Sequence, residues 1–101
     1  MFRDLGARLG EAEALNNLGQ LATKTSAMHR ARDHHARALA IARDLEVPLE
    51  EARALEGIGH SHQQDGNSAE AANYLRQALT IYQRIGTPDA RRIEEAYQDD
   101  S

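Results

Sequence analysis

From Ala52 to Ile81 the chain reads ARALEGIGHSHQQDGNSAEAANYLRQALTI, and its apolar and small positions fall into two stripes. Leu55, Ile58, Gly59 and His62 recur at helical spacing and share one face. Gly66 and Asn67 break the pattern, and Ala71, Tyr74, Leu75, Ala78, Leu79 and Ile81 open a second face. Gly59 then stands opposite the small residues Ala71 and Ala78, which lets two antiparallel helix backbones approach closely. The pattern predicts a helical hairpin.

The same hairpin occurs again, forty residues earlier and without a gap. Leu15 corresponds to Leu55, Gly19 to Gly59, Ala31 to Ala71, Ala38-Leu39 to Ala78-Leu79, and Ile41 to Ile81. Arg3-Asp4-Leu5 corresponds to Arg43-Asp44-Leu45, Glu11-Ala12 to Glu51-Ala52, and Pro48 to Pro88. The stride predicts helices over 7–23, 27–45, 48–64, 68–85 and 88–97, with residues 1–5 as the tail of an earlier helix. Repeats then span 7–46 and 47–86 of a single domain over 1–98, followed by a frayed tail at 99–101. Gly66 suits a left-handed helix end, with Asn67 or Ser68 capping the next helix. Pro48 and Pro88 suit a first helical position, and Thr87 a cap before Pro88. The first hairpin turn, Lys24-Thr25-Ser26, has no glycine.

Composition narrows the core and the partners. The chain has 101 residues, 41% of them hydrophobic but only 4% aromatic, so the core is built from Ala, Leu and Ile. With only two prolines, this makes an all-α chain. The formal net charge of −4 argues against a direct nucleic-acid contact, which calls for a basic face. No apolar run reaches membrane-spanning length, and no signal-peptide core is present. Cysteine is absent, which permits a cytoplasmic setting and removes thiolate metal ligation.

Leu15, Leu18, Gly19, Ala31 and Ala38, and again Leu55, Ile58, Gly59, Ala71 and Ala78, carry a spacing that resembles the tetratricopeptide repeat (TPR). The resemblance implies a right-handed helical solenoid fragment of antiparallel hairpins, closed by a C-terminal capping helix bearing Ala90, Ile93 and Tyr97. Departures are that large aromatic positions hold Leu15, Leu55, Ala22, His62 and His35. The stride is also longer than the usual 34, as in kinesin light chains. RDLGARLGEAEALNNLGQLA and ALEGIGHSHQQDGNSAEAANYLRQALTIYQRIGTPDA resemble more narrowly the C-terminal repeats of actinobacterial AfsR/SARP-type transcription regulators. That resemblance implies an excised sensor or interaction segment of a transcription regulator, without its DNA-binding region.

Such solenoids expose the first helix of each hairpin on a concave face. The resemblance aims Glu13, Asn16, Asn17, Gln20, Thr23 and Lys24 there, then Arg53, Glu56, His60, Gln63 and Gln64. These suit a protein or peptide ligand held by amide and guanidinium contacts. Asn17, in NNLG, resembles a groove asparagine whose carboxamide grips a peptide backbone. Gln20 and Gly57 depart from the chaperone-type carboxylate clamp. The alternative function is homo-oligomerisation, as a homodimer, through apolar end faces bearing Phe2, Leu5, Leu9 and Leu15.

The five histidines do not form a chelating set. His60 and His62 are two apart and His34 and His35 adjacent, whereas helical ligands need three or four. His29 and Asp33 have the spacing but lack a third ligand, and His35 and His62 occupy packing positions. Serines lack a nucleophile-elbow context, Glu50-Glu51 and Glu94-Glu95 read as solvated faces, and Gly57 and Gly59 lie within a helix. The sequence therefore implies no enzyme, no metal and no cofactor.

Overall fold

A computed structural model describes the backbone of residues 2–100 and the side chains of residues 6–95. Five helices follow one another: α1 (Phe2–Lys24), α2 (Met28–Leu45), α3 (Pro48–Gln64), α4 (Ser68–Ile85) and α5 (Asp89–Asp100). None of the described residues lies in a strand. α1 packs on α2 and α3, α2 on α3, α3 on α4, and α4 on α5. This is an all-α helical repeat, two hairpins and a fifth helix.

Two boundaries differ from the sequence expectation. α1 is one unbroken helix from Phe2, not the tail of one helix followed by another. Where α2 ends, the chain has Glu46-Val47-Pro48; forty residues earlier it has Gly6-Ala7-Arg8, and without the proline nothing halts the helix. α5 begins at Asp89 and runs to Asp100, so the backbone expected to fray is helical that far, Ser101 lying outside the described residues.

The small residues decide how the helices meet. α2 buries Ala31, His35, Ala38 and Ala42 on one stripe, and α4 buries Ala71, Leu75, Ala78, Ile81 and Tyr82. α3, packed between α1 and α2 on one side and α4 on the other, buries its whole middle from Ala54 to Gly59. A Cβ on Gly59 would lie 2.8 Å from Leu75 Cγ and 3.3 Å from the Ala71 carbonyl, so glycine is what admits α4 here. Leu55, Ala52, Ala78, Ile81 and Tyr82 form a core that Ala90 and Ile93 of α5 close. Leu15, expected at an exposed end, is instead buried against Ala38 and Ala54. Of the other residues placed there, Leu9 is half-buried, and the side chains of Phe2 and Leu5 lie outside the described residues.

The first three helix connections use one device. After α3, Asn67 N–H donates to the His62 carbonyl at 2.8 Å and Gly66 N–H to Gln63 at 3.1 Å, with Gly66 at φ +82°. Ser26 (φ 63°) takes the place of Gly66 after α1, with Ala27 N–H on the Ala22 carbonyl at 2.8 Å. Glu46 (φ 57°) does so after α2, with Val47 N–H on Ala42 at 2.9 Å. The caps are thus made by backbone: Ala27, Val47 and Asn67 precede their helices without a side-chain capping bond. Thr87 Oγ1, expected to cap α5, is buried without a partner. Left-handed serine and glutamate carry strain that glycine lacks. Ser26→Gly and Glu46→Gly should each stabilise the fold by about 0.5–1 kcal/mol in urea unfolding, the relieved strain exceeding the added chain entropy. A loss of stability in both would sink this account of the turns.

Candidate functional site

Two buried polar clusters underlie the inner face. In the first, Asn16 is 1% exposed and so does not reach the concave surface where the sequence placed it. Its Nδ2 donates to Glu50 Oε1 at 3.0 Å and to the Glu50 carbonyl at 3.2 Å. The Asn16 amide oxygen is then the acceptor that faces His35 Nδ1 at 2.8 Å, which fixes the proton on that ring nitrogen. His35 Nε2 is left as a buried acceptor without a partner. The imidazole, 0% exposed, fills the space left by Gly19 of α1 and Gly57 of α3: a Cβ on either would overlap its ring atoms. Burial, reinforced by the neighbouring His34 and His60 against a smaller opposing pull from Glu56, lowers its pKa to about 4. His35 is therefore neutral at pH 7.

The second cluster centres on Glu56, 8% exposed and likewise more buried than the sequence implied. Its carboxylate accepts from Tyr82 Oη at 3.0 Å and from both Arg92 terminal nitrogens, at 2.5 and 3.0 Å. Arg92 also donates to Asp89 Oδ1 at 3.0 Å. Burial, then the Glu56 charge and hydrogen bond, raise the Tyr82 phenol far above its usual range, and the hydrogen bond to Glu56 above all raises Arg92. His60 Nε2 lies 3.7 Å from Glu56 Oε2.

Above these clusters opens a cavity of about 320 Å³ lined by residues of all five helices. Gln20, Thr23 and Lys24 supply one wall, Arg53, Glu56 and His60 the middle, and Asp89 and Arg92 the far wall; His35, Gly57 and Tyr82 contribute the floor. The structure thus brings together Gln20, Thr23, Lys24, Arg53, Glu56 and His60 of the expected set. Glu13, Asn17, Gln63 and Gln64 are exposed but do not line the cavity. Arg53 donates to Glu50 Oε2 at 3.2 Å, while Lys24 makes no ion pair among the described residues. The contributions of Asp89 and Arg92 were missed because the fifth helix was read as a cap alone. A signal existed: Asn16 and Glu56 share one repeat position, and a polar residue kept there in both repeats calls for a partner on the next helix. No group of three histidines or carboxylates poised for a metal occurs among the described residues. Nor is any helix among them long and apolar enough to cross a membrane.

A family profile described as tetratricopeptide repeat matches residues 10–84, most of the chain. The chain belongs to the tetratricopeptide repeat family. This TPR domain is also similar to a solved structure, the crystal structure of the TPR domain of Arabidopsis FLU. The two share 29% sequence identity over 89% of this chain and 74% of that one, with a TM-score of 0.78. Comparison with curated proteins gives no match. TPR domains generally mediate protein–protein interaction and are not typically catalytic, which accords with an inner face of amides, guanidinium groups and paired carboxylates. His62 stacks on Tyr74 with ring centroids 5.6 Å apart, a packing contact within the second TPR hairpin.

Proposed function

We propose that the inner face of this TPR domain binds an extended segment of a partner protein, with an acidic side chain or terminus seated in the cavity. The observation that carries this reading is the cavity itself, about 320 Å³, where Lys24, Arg53 and His60 meet around the paired Glu56–Arg92. Lys24, lacking an ion pair among the described residues, and Arg53, 42% exposed at its side chain, are cations open to solvent there. Gln20 and Thr23 add amide and hydroxyl partners for a peptide backbone. In this reading the segment works in the cytoplasm as the regulatory or sensor part of a bacterial transcription regulator, with no direct nucleic-acid contact. The support is the likeness of RDLGARLG and the later repeat to such regulators, together with the net charge of −4.

The test is anisotropy titration of acidic and neutral labelled peptides against the wild type, Lys24→Glu and Arg53→Glu. Each reversal should weaken an acidic peptide about tenfold, a loss of about 1.4 kcal/mol that added salt also produces. Helicity by circular dichroism should not change. Equal binding of acidic and neutral peptides by all three proteins would remove the reading.

A further inference from the structure

The stride allows each surface of the second repeat to be compared with its counterpart in the first. On α3, Ala54, Ile58 and Ser61 are 0%, 6% and 0% exposed. Ala54 packs on Leu15 of α1 and Ala38 of α2, and Arg32 of α2 reaches the Ser61 carbonyl at 3.5 Å. Their counterparts on α1 are Ala14, Leu18 and Leu21, and these lie bare: Leu18 is 46% and Leu21 58% exposed. At the opposite end, Ala90 and Ile93 of α5 cover the core. Among these helices α4 is thus covered by a further helix, while α1 presents a stripe shaped to meet one.

We infer that this stripe is a homodimer interface in which α1 packs antiparallel on α1 of a second copy. Ala14, Leu18 and Leu21, four and three residues apart, lie along one side of the helix. A twofold axis near Leu18 sets Leu21 of each copy over Ala14 of the other, large against small, and brings the two Leu18 side chains together. Glu13 and Lys24 are exposed on the same flank of that stripe, so the antiparallel order places each Lys24 near Glu13 of the second copy. That charge pattern, and the self-complementary sizes, favour a second copy over an unrelated helix. Because a twofold contact uses the same patch on both copies, the association stops at two rather than continuing as a filament.

The experiment uses the 101-residue chain as it stands. Sedimentation equilibrium from low to high micromolar concentration should show the mass rising toward twice that of the monomer. Leu18→Glu and Leu21→Glu should each return it to the monomer, with circular dichroism unchanged because both positions are exposed. The chain has no cysteine, so Leu18→Cys should cross-link to a disulfide dimer under mild oxidant, while Thr80→Cys on α4, also exposed, should not. A wild type that stays monomeric throughout overturns the inference, as would occur if the stripe belongs against a different protein. So does a dimer indifferent to both glutamate variants, or one that cross-links equally from Thr80→Cys.

Discussion

Gly57→Ala should destabilise the domain by about 3 kcal/mol, the upper part of the range for overpacking a filled core. The new methyl group would overlap the His35 ring, and that ring has nowhere to go: Gly19 bounds it on the α1 side and Asn16 holds Nδ1 at 2.8 Å. Elsewhere in a helix the same substitution gains about 1 kcal/mol from reduced backbone entropy. Gly6→Ala and Gly10→Ala, where a Cβ meets nothing within 4 Å, supply that opposite sign within α1. Urea unfolding of the three variants checks the argument. If Gly57→Ala matches Gly10→Ala in stability, the interlock of two glycines around one imidazole is wrong.

The second large effect is a loss of stability on mild acidification. His35 has its pKa depressed from 6.5 to about 4, chiefly by burial. Below pH 6.5 the unfolded chain therefore takes up a proton that the folded chain refuses, and the contribution present above that pH is progressively lost. The slope is about 1.4 kcal/mol per pH unit, giving about 2 kcal/mol between pH 7 and 5 and about 3 by pH 4, where it levels off. Unfolding midpoints at pH 7 and 5 should show this, and His35→Phe should flatten the difference. Resonances of the His35 ring should not titrate above pH 5. A ring that titrates near 6.5 in the folded protein would refute the assignment.

The helices were legible in the sequence because the device that sets them is periodic. Alanine and glycine recur at a fixed stride, and Pro48 and Gly66 punctuate it with backbone chemistry that few other residues reproduce. Ser26 and Glu46 were not legible as left-handed turns, since neither residue type favours that geometry; the hairpins impose it. Asn16, expected on the inner face, lies buried beneath it. Asn16 and Asn17 are adjacent and chemically identical, and only the approach of Glu50 from α3 separates the buried one from the exposed one. His35 was correctly a packing residue, but its partners lie on two other helices, so no local spacing announces the two glycines that admit it.

The far wall of the cavity belongs to α5, which is tied to the array by Ala90, Ile93, the Arg92–Glu56 pair and a Gln83–Glu94 contact of 2.9 Å. A guest resting on Asp89 and Arg92 would lend this helix part of its own binding free energy. By reciprocity, whatever loosens the helix must weaken the guest to the same degree. The terminal helix is then both lid-post and gauge: its attachment and the occupancy of the groove are a single equilibrium viewed from two sides.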